Sequence, residues 1–186
     1  MSRDIKTPLT EELARTLKCG ESVTITGVIY TARDAAHKRL VELIEKGEQP
    51  PIPLEDTIIY YTGSTPARQG QIIGSMGPTT SSRIDAYSPV ILELGNRGMI
   101  GKGKRSAEVI EAMKRCGGVY FGAIGGAGAL LSKCVKSAEV VAYEDLGTEA
   151  IFRLEVEKFP VVVIIDCEGR NLYETSRAEY LKFRDK

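Results

Sequence analysis

Strands and helices alternate along these 186 residues, and the alternation predicts a single α/β domain. Three observations carry that prediction. A β-branched run at 22–30 is followed by helical spacing at 33–46, and similar exchanges recur to the carboxyl end. Glycine-rich segments at 74–77, 98–103 and 122–128 each follow an apolar stretch, as turns after strands do. No repeat, low-complexity tract or linker divides the chain, so one domain over 1–186 is expected. The mixture alone also admits α+β.

The elements follow in order. Thr7-Pro-Leu-Thr-Glu-Glu12 has the look of a capped helix start, with a short helix to about Leu17. Residues 22–30 (Ser-Val-Thr-Ile-Thr-Gly-Val-Ile-Tyr) alternate and predict a strand. In 33–46 the side chains of Ala36, Leu40, Leu43 and Ile44 share one helical face. Gly47-Glu-Gln-Pro-Pro-Ile-Pro53 predicts a stiff exposed loop. Short strands are expected at 57–62 and 71–73, then a helix over 83–94 broken by Pro89. Gly98-Met-Ile-Gly-Lys-Gly103 reads as a second glycine-rich loop, and 106–116 as a helix. A short apolar strand lies within 117–128, a helix at 129–135 and a strand at 139–143. Two strands at 151–156 and 161–166, a turn at Glu168-Gly-Arg-Asn171 and a polar helix at 175–184 complete the chain.

Composition narrows the function. Basic and acidic side chains balance at 25 each, so no global field draws the chain to nucleic acid or an acidic membrane. Tryptophan is absent, which weakens base stacking further. The amino terminus is polar without a signal-peptide core, and the strongest apolar stretch, 161–165, is far too short to span a bilayer. Cys19, Cys116, Cys134 and Cys167 lie far apart, which excludes a C-x-x-C motif and predicts small buried hydrophobes. These features predict a cytoplasmic protein.

Three constellations carry candidate chemistry. In Gly74-Ser-Met-Gly-Pro-Thr-Thr-Ser-Ser-Arg83, glycine and proline bend the backbone ahead of four hydroxyls and a guanidinium. Gly77 opens the backbone to a ligand, Thr79 and Thr80 offer hydroxyls, and Arg83 offers a bidentate clamp for a carboxylate or phosphate. A Thr/Ser-rich helix cap beside a surface arginine accounts for the same composition equally well. In Arg33-Asp-Ala-Ala-His37, Arg33 and the chain's only histidine are one turn apart. A solvated basic helix face is the plainer reading there. In Gly101-Lys102-Gly103, a lysine between glycines can project into a site ahead of a helix start. The spacing is not that of a P-loop, and Gly122-Ala-Ile-Gly-Gly-Ala-Gly128 gives no clean dinucleotide fingerprint, so nucleotide binding is the weaker alternative. No Ser-His-Asp arrangement, histidine cluster or paired carboxylates stand out.

Together, the segments 32–39, 74–85 and 101–103 resemble the β subunit of class I fumarate hydratases, equivalent to the carboxy-terminal domain of the single-chain enzymes. The L-tartrate dehydratase β subunit belongs to the same group. The resemblance continues through Tyr120-Phe-Gly-Ala-Ile-Gly-Gly-Ala-Gly128 and 149–166, nearly the whole chain. It implies a swivelling β/β/α domain and a hydro-lyase interconverting fumarate and L-malate. It also implies a partner α subunit holding a [4Fe–4S] cluster, within a higher hetero-oligomer. By motif match, Arg33 and Arg83 take the substrate-carboxylate positions, Thr79 the catalytic base and Lys102 the active-site lysine, with Thr80 and Gly77 beside the substrate. His37 receives no role. L-tartrate dehydration, or a non-catalytic small-anion binding module, are the alternatives.

Overall fold

The computed structural model describes residues 2–184. Among them the apolar runs pair into one mixed sheet. Its strands are β1 (Arg3–Lys6), β2 (Ser22–Thr31), β3 (Ile58–Tyr60), β4 (Gly98–Gly101), β5 (Val119–Gly122), β6 (Val135–Ala142) and β7 (Ile151–Ile165). The helices are α1 (Glu11–Thr16), α2 (Asp34–Glu45), α3 (Ser88–Glu93), α4 (Ala107–Cys116), α5 (Gly128–Leu131) and α6 (Leu172–Arg184).

The sheet order is β1-β2-β3-β4-β5-β7-β6, and β2 also pairs with β7. Strands β2, β3, β4, β5 and β7 therefore close on themselves, which removes most exposed edge. β1 to β5 run parallel, whereas β7 pairs antiparallel with β2, β5 and β6. Because β2, β3, β4 and β5 are neighbours in chain order, their crossovers wind one way and put α2, α3 and α4 on one face. Side-chain alternation divides the core accordingly. Ile58, Tyr60, Ile100, Val119 and Phe121 join one apolar cluster, and Ile59, Tyr61, Met99 and Tyr120 join the other with Ala36, Leu40, Ile91 and Val109 from the helices. Each such fully buried large side chain contributes roughly 1.5–3 kcal/mol.

Several local expectations change. Residues 98–101 form a fully buried strand rather than a loop, because close packing asks for glycine there. A Cβ on Gly98 would lie 2.7 Å from Ile58 Cγ1, and one on Gly101 would lie 2.0 Å from Ser81 Oγ. Residues 71–73 are not a strand, and Ile72 is exposed. The expected strand pair at 151–156 and 161–166 is one long strand, β7. A positive φ of 50° at Lys158 and a register shift opposite Ile25 and Gly27 bend it without ending it. Strand β1 lies in a segment whose polar composition hid it. The break expected in 83–94 falls ahead of Pro89, which sits in the first turn of α3, where its missing N–H costs little. The loop at 47–53 is not wholly exposed, since Ile52 is buried.

Candidate active site

Parallel strands place their following loops on one edge, the usual ligand edge of α/β sheets. Here the carboxyl ends of β2, β3, β4 and β5 lead into residues 32–33, 61–80, 102–106 and 123–127. The three glycine segments singled out in the sequence meet at that edge, although the middle one is mostly strand.

The corner is not a strand-to-helix turn but an inserted ladder. Pro78 bridges Thr62 beyond β3, and Thr80 bridges Lys102 beyond β4. Thr79 N–H donates to Tyr61 O at 2.7 Å, Lys102 N–H to Thr79 O at 3.2 Å, and Ser81 N–H to Lys102 O at 2.9 Å. Thr62 Oγ1 and Tyr60 OH donate to Gly77 O and Met76 O at 2.7 and 2.6 Å. The third glycine loop closes on the same ladder. Met76 N–H donates to Gly128 O at 3.2 Å, and a Cβ on Gly128 would come within 2.7 Å of Gly77 N. Gly77 itself faces open space.

This ladder brings Gly77, Thr79, Thr80 and Lys102 together through backbone bonds. Thr79 is half-buried, whereas Thr80 and Lys102 are exposed. Arg83 follows on a 3-10 turn (Ser81–Ile84) capped without any side-chain bond, so the helix-cap alternative for the hydroxyls is not what this turn uses. The Arg83 side chain is exposed, and among the described residues neither it nor Lys102 has an ion-pair partner. A chain of balanced net charge thus leaves unneutralised cations on this edge, which attracts anions locally.

Arg33 reaches the edge from the N-cap of α2. Its guanidinium pairs with Glu149 Oε1 at 3.2 Å, and its side chain packs where a Cβ on Gly63 would stand, 3.2 Å away. No hydrogen bond among the described residues joins Arg33 to Arg83 or Lys102. The basic helix face expected for 33–39 is corrected by burial. His37 is 1% exposed, its Nδ1 is 2.9 Å from Arg33 O, and its ring stands edge-on to Tyr61 at 5.2 Å. Burial, opposed by the bond to Arg33 O and aided by the Arg105 charge, pushes its pKa down to about 4. The imidazole is therefore neutral, Nδ1–H donates, and Nε2 is a buried acceptor with no partner. Arg33 Nε and Asp34 Oδ1 are buried and unpaired as well. Three unpartnered polar atoms thus fall within one turn, at the start of α2.

Beneath the ladder lies a group the sequence reasoning passed over. The Arg105 side chain has no solvent exposure and donates to Asp85 Oδ1 at 2.7 Å and Ser88 Oγ at 2.6 Å. It stacks over the rings of Tyr61 and Tyr120 at 5.4 and 5.1 Å. Its position in Lys-Gly-Lys-Arg-Ser, just after Lys102 and just before a helix cap, was the available signal. Glu149 had no signal, because its partner is more than a hundred residues away.

Among the described residues no three His, Cys, Asp or Glu side chains form a metal-holding group. All four cysteines are free; Cys167 is buried and the others half-buried, so the small-hydrophobe expectation holds fully for one. These residues do not fit an iron–sulfur cluster, which needs converging thiolates. A cavity of about 670 Å³ between Glu48, Pro51, Pro53, Glu55 and Leu94 has acidic but no basic lining, so it does not suit an anion. No helix among the described residues is long and apolar enough to cross a membrane.

In class, this is an α/β domain with a closed mixed sheet that presents cations and hydroxyls on its parallel-strand edge. A family model described as Fumarase C-terminus matches residues 2–176, and the chain belongs to that family. It is 39% identical over 175 residues to a fumarate hydratase class I, anaerobic, of Escherichia coli, covering 92% of this chain and 32% of that protein. Fumarate hydratase 2 of Leishmania major is 37% identical over 161 residues, covering 86% of this chain and 28% of that one. A Methanocaldococcus jannaschii protein provisionally described as L(+)-tartrate dehydratase subunit beta is 36% identical over 172 residues, covering 89% of this chain and 88% of itself. The chain thus spans about a third of the length of the fumarate hydratases it resembles.

Proposed function

We propose that residues 1–186 form the β-subunit half of a hydro-lyase that interconverts fumarate and L-malate with a partner α subunit. Membership of the Fumarase C-terminus family supports this. The match over 88% of a described subunit beta supports a two-subunit arrangement. In this reading the domain swivels against its partner within a larger hetero-oligomer in the cytoplasm. The observation that carries the site is the hydrogen-bonded ladder, which sets Thr79 beside Lys102 one turn ahead of Arg83.

The chemistry suits the residues. Dehydrating malate removes a weakly acidic proton next to one carboxylate, and hydroxide leaves from the neighbouring carbon as the C–O bond breaks and the C=C bond forms. Arg33 and Arg83 hold the two ends of the four-carbon dicarboxylate and stabilise the enolate-like charge that builds as the proton leaves. Thr79 takes the proton, and the Lys102 ammonium favours its ionised form, since a hydroxyl alone is a poor base near neutrality. The Gly77 backbone and the Thr80 hydroxyl complete the ligand wall. The [4Fe–4S] cluster that the family resemblance implies finds no ligand set among the described residues, so it is assigned to the partner and no step here runs through it.

L-tartrate is the second substrate reading, favoured by the same subunit-length relative. The test is kinetic, in the assembled enzyme. Arg33→Ala and Arg83→Ala each raise KM and lower kcat, because the charge-assisted bond that is lost already holds the ground state and strengthens as the enolate-like charge builds. Thr79→Ala lowers kcat mainly. Normal kinetics in either arginine variant removes that residue from the site, and an effect of Thr79→Ala confined to KM demotes it to binding.

A further inference from the structure

Three segments build the proposed site, and each is anchored separately to the same buried group. The 3-10 turn that carries Arg83 ends at Asp85, whose carboxylate accepts from Arg105 Nε at 2.7 Å and from Ser106 N–H at 2.7 Å. The end of β3, whose Tyr61 carbonyl holds Thr79 N–H, lies under the guanidinium through the Tyr61 ring. The Gly101–Gly103 turn that carries Lys102 is held by Tyr120, the second ring against Arg105. Tyr120 OH donates to Gly103 O at 3.0 Å and stands 2.9 Å from Ser81 Oγ. Burial pushes the Tyr120 phenol above its ordinary pKa, so it keeps the proton it donates.

We infer that Arg105, with Asp85, is the positioning residue of the site, a buried clasp that fixes Arg83 and Thr79 relative to Lys102. This rests on the reading of that edge as a dicarboxylate site. Arg105 does not touch substrate; its side chain is fully enclosed. A purely structural ion pair needs only one carboxylate. Here the planar fork divides its donors between Asp85 and Ser88, and the same guanidinium lies over two rings from different segments, Tyr61 just past β3 and Tyr120 in β5. That geometry converts an error in one loop into an error in all three. Catalytic groups tolerate little such error, because small misplacements cost large rate factors.

Arg105→Lys keeps the charge and loses the fork; Asp85→Asn keeps one acceptor but leaves the buried guanidinium without its counter-charge, so it is the harsher variant. Both are compared with Leu154→Val, a core change in β7 outside the clasp, in the assembled protein and well below each melting temperature. Two readouts are taken. Hydrogen exchange at 79–85 and 101–106 is expected to speed at least tenfold in both clasp variants, with β6 and β7 unchanged. The dicarboxylate kcat/KM is expected to fall at least tenfold from Arg105→Lys in the wild-type background and by a smaller factor in Arg83→Ala, because the share of the loss carried by Arg83 is already gone there while Thr79 and Lys102 are still displaced. Unchanged or uniformly raised exchange overturns the clasp. So does an equal kinetic loss in both backgrounds, or one matched by Leu154→Val. A wild-type assembly inactive on malate and L-tartrate removes the functional reading instead, and the exchange measurement still decides the clasp.

Discussion

Replacing His37 by Phe is expected to abolish one specific acid sensitivity of the fold. His37 is buried and neutral, with its pKa pushed down to about 4 from an ordinary 6.5. Between those values the unfolded chain binds a proton that the folded chain refuses, so stability falls as pH falls from 6.5 towards 4 and is fully present above 6.5. The groups facing the ring are Asp34 and the Arg33 carbonyl, which favour the charge, and Arg105, which opposes it. At 1.36 kcal/mol per pKa unit, the loss is about 2 kcal/mol at pH 5 and about 3 kcal/mol at pH 4. Phe keeps a ring against Tyr61, removes the bond to Arg33 O and removes the unpaired Nε2. The last two changes are each about 1–3 kcal/mol or less and oppose one another, so the variants should be close at pH 7.5. The assay is urea unfolding of both proteins in steps from pH 7.5 to 4, read as the difference in unfolding free energy. Carboxylates shared by both proteins cancel in that difference. Parallel curves across the window would show that the buried His37 imposes no such penalty.

Further outcomes test the packing and the charges. Gly101→Ala should destabilise the fold by about 1–3 kcal/mol in urea unfolding, since its Cβ would meet Ser81 Oγ at 2.0 Å and Tyr61 Cδ2 at 3.1 Å, both on enclosed side chains. An unchanged midpoint would show that the ladder shifts freely. Glu149→Gln removes the counter-ion of Arg33, so the KM for malate should fall roughly twofold to fivefold, the size of a part-exposed ion pair. A rise in KM would mean instead that Glu149 aims the guanidinium.

Much of the scaffold was legible because it rests on local pattern. Strand β2, helix α2 and helix α4 show β-branched alternation, amphipathic spacing and a Ser106 cap that accepts from Val109 N–H. What was hidden depends on distant neighbours. Gly98 and Gly101 look like loop residues until Ile58 and Ser81 are seen to occupy the space of their missing side chains. Lys158 and Pro160 look like a strand break until β2 is found pairing on both sides of them. The site divides in the same way. The Gly74–Arg83 corner announced itself by composition, whereas its join to Lys102 is a backbone ladder that no motif encodes. His37 looked like a member of an exposed basic helix face and Arg105 drew no reading of its own, and only packing turns both inward.

Turnover by this chain assembled with its co-purifying partner, followed on L-malate and on L-tartrate, decides whether the edge is a hydro-lyase site. Reversible conversion of malate to fumarate is expected from the assembly, and none from this chain alone. Turnover of L-tartrate without malate would contradict the fumarate assignment, and inactivity of the assembly on both would contradict the hydro-lyase reading of the Gly77, Thr79, Lys102 and Arg83 edge.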